Sequence, residues 1–264
     1  MIILITGISS GFGKAMAGQL SAEGHRVYGT YRRECEHIEG VHYIKCEVTD
    51  IQQVEAAVKT VLEAEGKIDV FINNAGGGIG GPLEFTSPED ARKLMEVNWM
   101  GMVNFLHFVL PPMRKAGKGK ILCFSSIGGL MGLPYQGVYS ASKFAIEGYC
   151  EALRLELCRS GISVTVIQPG DFATKFTASR QNLSGDEVAK AYPGYARSLG
   201  IIEANENGGL KADFLARRIS RIVKSKNPPY SAVIATWDQK LSVLLKRILP
   251  ERCFAWILKL YYKL

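Results

Sequence analysis

Ile2-Ile3-Leu4-Ile5-Thr6-Gly7-Ile8-Ser9-Ser10-Gly11-Phe12-Gly13 is the stretch that decides the fold of this chain of 264 residues. Its apolar start is typical of a buried strand, and the residues from about Lys14 to Ala22 are typical of a helix. The glycines between them allow a tight turn and let a pyrophosphate approach the backbone, where the helix offers N–H groups and its positive dipole end. The spacing Gly-x-x-x-Gly-x-Gly alone also fits a plain structural turn. Its place between a strand and a helix favours a dinucleotide site.

The alternation of strand and helix continues along the chain. Most strand-like runs are apolar and β-branched, as expected for parallel strands that are covered on both faces. We predict strands at Ile2–Ile5, Val27–Tyr31, Val41–Lys45, Ile68–Ile72, Lys120–Phe124, Ser163–Gln168 and Ala232–Ala235. We predict further helices at Ile51–Glu65 and within Pro88–Met113, Tyr139–Cys158 and Ala212–Lys224. This pattern predicts a single α/β domain over residues 1–264, with a Rossmann-type doubly wound parallel sheet of about seven strands.

The composition narrows the class of protein. Hydrophobic residues make up 47% and charged residues 22%, which is ordinary for a globular protein. No apolar run is long enough to span a bilayer and no signal peptide is evident, so a cytoplasmic location is expected. The six cysteines show no Cys-x-x-Cys spacing and are expected to be reduced thiols, mostly in the core. The four histidines are scattered, so no metal site is predicted.

The positive charge is concentrated in the C-terminal tail. The net charge is +7, and residues 240–264 carry six basic residues against one acidic residue, 6 − 1 = +5. The other 239 residues carry only 7 − 5 = +2, which is unlike a nucleic-acid binder, so no nucleic-acid partner is expected. The tail has the pattern of a basic amphipathic helix, which fits either an anionic membrane surface or packing against the protein. We favour packing against the protein, because surface helices commonly show such a stripe.

Residues 175–210 contain two clusters of turn-forming residues, Tyr192-Pro193-Gly194-Tyr195 and Asn205-Glu206-Asn207-Gly208-Gly209. We predict an irregular segment here. Its aromatic residues favour a substrate lid over a disordered insert.

Tyr139 and Lys143 form the first candidate for chemistry. They lie four residues apart in a predicted helix, so their side chains share one face. A fixed positive charge beside a phenol lowers the pKa of the phenol, which could then exchange protons with an alcohol or carbonyl near neutral pH. By itself the pair also fits a surface helix with a solvated lysine.

Several motifs in order resemble those of the short-chain dehydrogenases/reductases. They are Thr6-Gly7-x3-Gly11-x-Gly13, Asn73-Asn74-Ala75-Gly76, Asn98, Ser126, Tyr139-x3-Lys143 and Pro169-Gly170. Each motif is common alone, but their order and spacing over roughly residues 1–175 are specific. The resemblance implies an oxidoreductase that interconverts a ketone or aldehyde and an alcohol with a nicotinamide dinucleotide.

The resemblance also implies the catalytic roles. Tyr139 would be the acid in reduction and the base in oxidation, and Lys143 its electrostatic partner. Ser126 would bind the substrate oxygen, with Ser125 as the alternative if the register shifts. Asn98 would hold a water of the proton relay.

The cofactor is expected to be NADP(H), with NAD(H) as the alternative. Tyr31 stands where an acidic residue would bind the ribose of NAD, and Arg32 and Arg33 follow it. Two guanidinium groups could bind a 2′-phosphate. They could also be solvated loop residues, with Glu34 competing for them. Glu47 replaces an aspartate that the family often has near the adenine.

The resemblance implies cofactor contacts along much of the chain. The expected residues are Gly7, Ser9, Ser10, Gly11, Phe12, Gly13, Tyr31, Arg32, Arg33, Glu47, Val48, Asn74, Ala75, Gly76, Tyr139, Lys143, Pro169, Gly170, Phe172 and Thr174. Among them, Pro169, Gly170 and Thr174 are expected to position the nicotinamide carboxamide.

The expected substrate is a bulky apolar alcohol or carbonyl, because the expected pocket walls are mostly apolar. The resemblance implies that it is steroid- or retinoid-like or another lipophilic carbonyl. These walls are Gly77, Gly78, Leu130, Met131, Tyr135, Phe172, Phe176 and Tyr192. The chain looks similar to the hydroxysteroid- and retinol-dehydrogenase-like branch, and the family resemblance implies a homodimer or homotetramer. The alternative is a catalytically silent dinucleotide-binding regulatory or scaffold protein.

Overall fold

Seven of the apolar runs form a parallel sheet at the centre of the molecule, in a computed structural model that describes all 264 residues. The strands are β1 (Ile2–Ile5), β2 (Arg26–Tyr31), β3 (Val41–Lys45), β4 (Val70–Asn73), β5 (Gly119–Phe124), β6 (Ile162–Pro169) and β7 (Ser231–Ile234). Their order across the sheet is β7-β6-β5-β4-β1-β2-β3, and every neighbouring pair is parallel. The prediction of a doubly wound parallel sheet is confirmed. The strand order reverses beside β1, and such a switch point opens a crevice at the carboxyl edge.

Helices connect the strands and cover both faces of the sheet. They are α1 (Gly11–Ala22), α2 (Ile51–Glu65), α3 (Pro88–Met95), α4 (Gly101–Ala116), α5 (Gly137–Glu156), α6 (Phe176–Ser179), α7 (Asp186–Ala191), α8 (Tyr195–Asn207), α9 (Ala212–Lys224), α10 (Trp237–Ile248) and α11 (Glu251–Tyr262). A π-helical turn, Glu96–Met100, joins α3 to α4. Short 3-10 turns lie at Leu83–Phe85 and Ile127–Gly129.

The sheet separates two apolar layers, because successive side chains of a strand point to opposite faces. Leu4 joins a buried cluster with residues of α2, α4 and α5. Ile3 and Ile5 join the other cluster, with residues of α1 and α9. All three side chains are fully buried, so β1 lies at the centre of both layers.

The prediction of an irregular segment over residues 175–210 is wrong. Three helices, α6, α7 and α8, occupy most of it, and α8 continues through Asn205 and Glu206. Tyr195, Ser198, Ile202 and Glu206 recur every three or four residues and form the buried stripe of α8. Two of these four residues are polar, so the helical period is weak when judged by hydrophobicity alone.

The short strands beside this segment attach it to the main body. Ile79–Gly80 pairs with Gln181–Asn182, and Phe172–Ala173 pairs with Leu210–Lys211. The segment therefore begins and ends at the carboxyl edge of the central sheet.

Cysteines and long helices give two further facts. All six cysteines are free thiols, but only Cys46, Cys123 and Cys150 are buried, while Cys158 and Cys253 are exposed. None of the helices combines the length and the apolar character that crossing a membrane would require.

Gly13 fixes how closely α1 approaches the turn after β1. A Cβ atom added at Gly13 would overlap the carbonyl oxygen of Gly7 and come within 2.7 Å of Nδ2 of Asn74. We therefore expect Gly13→Ala to lower the free energy of unfolding by about 1–3 kcal/mol, as overpacking a close contact does. Urea unfolding followed by circular dichroism measures this change.

Gly148→Ala is the matched control. Gly148 is exposed within α5, and an added Cβ would meet nothing within 4 Å, so this variant should be stabilised by about 0.5–1 kcal/mol. Equal unfolding free energies for the two variants would contradict the close-contact argument at Gly13.

Candidate active site

A cavity of about 690 Å³ opens at the carboxyl edge of the sheet, beside the switch point. Most of the predicted catalytic and cofactor residues line it. They are Gly7, Ser9, Ser10, Gly11, Phe12, Tyr31, Arg32, Glu47, Val48, Asn74, Ala75, Gly76, Ser126, Tyr139, Lys143, Pro169, Gly170, Phe172 and Thr174. Residues far apart in sequence therefore meet at one site.

Three predicted residues do not line the cavity. Gly13 lies beneath the glycine turn, where it permits the approach of α1 to Gly7. Arg33 is exposed and lies outside the cavity, so its predicted contact with a cofactor is not supported by this structure. Asn98 is fully buried behind the cavity wall.

The glycine turn has the shape that a dinucleotide requires. Gly7 and Gly11 have φ angles of 72° and 55°, in the left-handed region that favours glycine. A Cβ atom added at Gly11 would have only Thr174 Cβ, at 3.8 Å, within 4 Å, so it would point into free space of the cavity. The N-terminus of α1 begins at Gly11 and directs its N–H groups to the same space. These features fit a pyrophosphate.

Thr6 and Asn74 hold this turn against the turn that follows β4. The Thr6 hydroxyl accepts hydrogen bonds from the backbone N–H groups of Asn74 and Ala75, both at 2.9 Å. The Asn74 side chain donates back to the carbonyl oxygens of Thr6 and Gly7, at 2.8 and 2.9 Å. The Asn74 motif therefore braces the glycine turn as well as lining the cavity.

Tyr139, Lys143 and Ser126 meet at the other end of the cavity. Lys143 Nζ lies 5.7 Å from the centroid of the Tyr139 ring and donates a 2.9 Å hydrogen bond to the Phe124 carbonyl. Ser126 Oγ accepts from the N–H of Gly128 at 3.0 Å and contacts the Tyr139 phenol.

Ser125 has a different environment from Ser126. The Ser125 hydroxyl donates to the Lys143 carbonyl oxygen at 3.3 Å, so it is bound to the backbone of α5. The geometry therefore favours Ser126 over Ser125 as the serine that faces a substrate oxygen.

The pKa of Tyr139 differs from the prediction. Burial raises it to about 12, a hydrogen bond with Ser126 opposes this rise, and the carboxylates of Glu206 and Asp171 add to it. The prediction that Lys143 brings this pKa down toward neutrality is wrong for this structure. Burial also lowers the pKa of Lys143 to about 8. The phenol therefore keeps its proton at neutral pH.

Asn98 holds the backbone behind the site. Its side chain accepts from the N–H of Gly77 at 2.8 Å and donates to the Gly77 carbonyl at 3.1 Å and to Ser142 Oγ at 2.9 Å. The Ser142 hydroxyl in turn donates to the Tyr139 carbonyl at 2.7 Å. The π-helical turn places Asn98 at this junction of α5 with the turn after β4. Its role in holding a water stays a prediction.

Arg32 lines the cavity and lies beside a carboxylate. Its Nη1 lies 3.4 Å from Glu47 Oε2, and both side chains line the cavity. Glu34, which the sequence suggested as the competitor for the arginines, lies 3.6 Å from Lys45. The carboxylate that competes for Arg32 is therefore Glu47, from the turn after β3. Of the two predicted arginines, only Arg32 lines the cavity.

The predicted substrate walls are only partly correct. Gly77, Gly78, Met131, Phe172 and Phe176 line the cavity.

Three other predicted wall residues lie outside the cavity. Leu130 packs against the small buried cluster of Met131, Val243 and Phe254. Tyr135 and Tyr192 are 6.2 Å apart between ring centroids and pack against each other in an edge-to-face arrangement.

The C-terminal helices supply walls that the sequence prediction missed. Their cavity-lining residues are Asp238, Gln239, Leu241, Ser242, Leu245, Ile257, Leu258, Tyr261 and Tyr262. Phe254 is buried, and the Ser198 hydroxyl donates to the Tyr262 carbonyl at 2.7 Å. The tail thus packs against the protein, as the favoured interpretation predicted, and it covers the cavity. The stripe of Phe254, Leu258 and Tyr261 was the available signal.

The sequence prediction also missed an acidic pole in the cavity. Burial, with Glu206 and Asp238 nearby, raises the pKa of Asp171 to about 6. Glu206 Oε1 binds Arg180 Nη1 at 2.6 Å, but its buried Oε2 has no hydrogen-bond partner. Arg180 also lies 3.6 Å from Glu203, while Asp171 accepts a 2.6 Å hydrogen bond from Gln239 Nε2. Asp171, Glu206 and Asp238 all line the cavity, so this part of its wall is acidic.

No group of three or more His, Cys, Asp or Glu side chains is arranged to hold a metal ion. The chemistry that this site can perform on its own residues is proton transfer and hydrogen bonding to an oxygen near Tyr139.

The lowered pKa of Lys143 predicts a dependence of stability on pH. Between about 8 and 10.5 the unfolded chain binds a proton at Lys143 that the folded protein does not, so stability rises with pH there. Relative to Lys143→Met, the free energy of unfolding of the natural protein should increase by up to about 3 kcal/mol across this range. Urea unfolding of both proteins at several pH values measures it. A constant difference would show that Lys143 titrates normally.

Comparison with known proteins places these features in context. The family profile described as short chain dehydrogenase matches residues 1–184. The chain is 47% identical over 263 residues to the 3-ketodihydrosphingosine reductase of Bacteroides thetaiotaomicron, covering 99% of this chain and 97% of that protein. It is 37% identical over 191 residues to human 17-beta-hydroxysteroid dehydrogenase type 1, covering 66% of this chain and 58% of that protein.

A solved structure shares the whole fold. The short-chain dehydrogenase of Streptomyces avermitilis superimposes with a TM-score of 0.82 at 27% sequence identity. The match covers 99% of this chain and 96% of that chain.

Proposed function

We propose a specific reaction for this chain, which belongs to the short chain dehydrogenase family. The chain is an oxidoreductase that acts on a carbonyl or alcohol with NAD(P). The reaction that we propose is the NADPH-dependent reduction of a long-chain lipophilic ketone. Its first candidate substrate is 3-ketodihydrosphingosine. The observation that carries this proposal is the 47% identity to a reductase of that ketone over nearly the full length of both chains.

The residues of the site support reduction as the direction. When bound, the cofactor would supply the hydride, and the glycine turn with Gly7 and Gly11 would hold its pyrophosphate. Ser126 and Tyr139 would donate hydrogen bonds to the ketone oxygen and stabilise the negative charge that develops there. Tyr139 would then give its proton to that oxygen. This phenol is protonated at neutral pH, as a proton donor must be.

The cavity supports an amphiphilic substrate. Met131, Leu245 and Ile257 are among its apolar walls, which suit an alkyl chain. The acidic pole, with Asp171 and the unpartnered oxygen of Glu206, suits a cation. In 3-ketodihydrosphingosine the carbon next to the ketone carries an amino group, which is an ammonium at neutral pH. Tyr139 and both carboxylates line the same cavity, so an ammonium beside the reacting carbonyl could reach the carboxylates.

A steroid ketone is the second candidate substrate. The 37% identity to a hydroxysteroid dehydrogenase favours it, together with the apolar walls. A steroid ketone offers no cation to the acidic pole, so this pole favours the sphingoid ketone. The grouping of Ser126, Tyr139 and Lys143 in one cavity argues against a catalytically silent scaffold.

Arg32 supports NADPH over NADH. No carboxylate ends β2, where an acidic residue would bind the ribose of NAD, and Arg32 lines the cavity there. Glu47 lies 3.4 Å away, but the Arg32 and Glu47 side chains are 56% and 30% exposed, so water weakens their mutual attraction. A 2′-phosphate, with a larger negative charge, could draw Arg32 away from Glu47.

Tyr139→Phe tests the proposed reaction. The natural protein should consume NADPH with 3-ketodihydrosphingosine, and faster than with the analogue that lacks the amino group or with a steroid ketone. Tyr139→Phe should lower kcat by about 10²–10⁴ because it removes the general acid. Absorbance of NADPH and the reduced product by mass spectrometry give the rates.

Tyr149→Phe is the matched control, since Tyr149 also lies on α5 but does not line the cavity. Its rate should match that of the natural protein. Equal rates for Tyr139→Phe would remove Tyr139 from the mechanism. If the natural protein turned over no ketone, the result would favour the scaffold hypothesis. If it turned over the steroid ketone alone, the result would favour the second candidate substrate.

Arg32→Asp tests the cofactor. Because a carboxylate at this position repels a 2′-phosphate and can accept ribose hydroxyl groups, the NADPH:NADH preference in kcat/KM should fall by at least about tenfold. Arg33→Asp makes the same change of charge outside the cavity and should shift the preference by much less. An unchanged preference in Arg32→Asp would exclude Arg32 as the phosphate contact.

A further inference from the structure

The last two helices expose apolar side chains in regular stripes. On α10, Trp237, Leu244 and Ile248 recur at helical spacing and therefore share one face. Leu241 lies at the edge of this face, since it is 46% exposed but also lines the cavity. Trp237 is 85% exposed and Ile248 is 64% exposed. The opposite face of α10 packs against the protein, because Val243 is buried there.

A second stripe follows on α11 and the residues after it. Trp256, Leu260 and Leu264 recur every four residues, and each is more than half exposed. In all, eight of the fifteen exposed large apolar side chains of the protein lie between residues 237 and 264. Such a concentration on so short a segment marks an interaction surface rather than scattered surface residues.

Basic side chains accompany the two stripes. The six basic residues of this segment are Lys240, Lys246, Arg247, Arg252, Lys259 and Lys263, and only Glu251 opposes them. None of the six takes part in an ion pair, whereas ten ion pairs form elsewhere in the protein. The segment is therefore both apolar and positively charged, and no carboxylate neutralises its basic side chains. Lys246 Nζ lies 5.5 Å from the centroid of the Phe254 ring.

We propose that the outer face of α10 and α11 docks on an anionic lipid surface. Indole rings and aliphatic side chains can enter the boundary between headgroups and acyl chains, while lysine and arginine contact the anionic headgroups. A second copy of the chain is disfavoured as the occupant, because it would bring the same excess of positive charge against this face. The contact that we propose is peripheral, with both helices lying along the bilayer surface.

The inner side of the same two helices connects the docking surface to the cavity. Leu245, Ile257 and Leu258 line the cavity, so the docked helices would lie between the bilayer and the site. A lipophilic substrate could then move from the bilayer to the cavity without crossing water. Docking itself does not depend on the substrate that we propose above.

Vesicle binding tests the docking surface on the full-length protein. Binding to vesicles of phosphatidylglycerol and phosphatidylcholine should greatly exceed binding to phosphatidylcholine alone, and it should weaken with salt. Sedimentation with the vesicles measures binding. Tryptophan emission should also shift to the blue, because Trp237 and Trp256 are two of the three tryptophans.

The double variant Trp256→Ser with Leu260→Ser changes the outer face only, since neither residue lines the cavity. It should bind anionic vesicles at least about tenfold more weakly. Leu155→Ser is the control, because Leu155 is equally exposed but lies on α5. Circular dichroism checks that all variants fold.

Three results would overturn the proposal. They are no binding of the natural protein to anionic vesicles, equal binding to both kinds of vesicle, and unchanged binding of the double variant. If the natural protein is instead an oligomer that the double variant dissociates, without vesicle binding, the stripes form a contact between copies.

Discussion

The hydroxyl group of Thr6 makes the hydrogen bonds on which the site depends most. It accepts the N–H groups of Asn74 and Ala75 at 2.9 Å and so joins the turn after β1 to the turn after β4. The two strands are neighbours in the sheet, and the switch point lies beside them. Gly13 then allows α1 to approach the same turn, so three segments of the chain meet at the glycine turn. The cavity, the cofactor cradle and the start of the substrate wall all extend from this junction.

Burial governs the electrostatics at the other end of the cavity. It raises the pKa of Tyr139 to about 12 and lowers the pKa of Lys143 to about 8, so both side chains favour their neutral forms more than they would in water. The carboxylates of Asp171 and Glu206 act on Tyr139 in the same direction as burial. One pole of the cavity therefore keeps the phenol protonated and is also suited to a cationic group beside the reacting carbon.

The segments that cover the cavity come from the last third of the chain. Helix α8 supplies Glu206, and the tail supplies Ile257 and Tyr262. The tail has two different faces, since its inner residues complete the cavity and its outer residues remain exposed with unpaired positive charges. The sequence pattern of the tail fits both packing on the protein and contact with a membrane. Different faces of the same helices can serve these two functions.

The sequence alone determined the strands of the central sheet, most of the helices that connect them and the grouping of the motifs. Helix α2 runs over the predicted residues Ile51–Glu65 because Asp50 caps its start, Gly66 ends it in the left-handed region and its apolar residues keep a helical period. These are local signals, and the motif residues follow because parallel strands bring their carboxyl ends to one edge. Only the tertiary structure decided that Glu47 is the partner of Arg32, that Tyr139 has a raised pKa and that the tail forms the cavity roof. Each of these depends on burial or on contacts between distant segments, and neither quantity is a property of any stretch of sequence taken by itself.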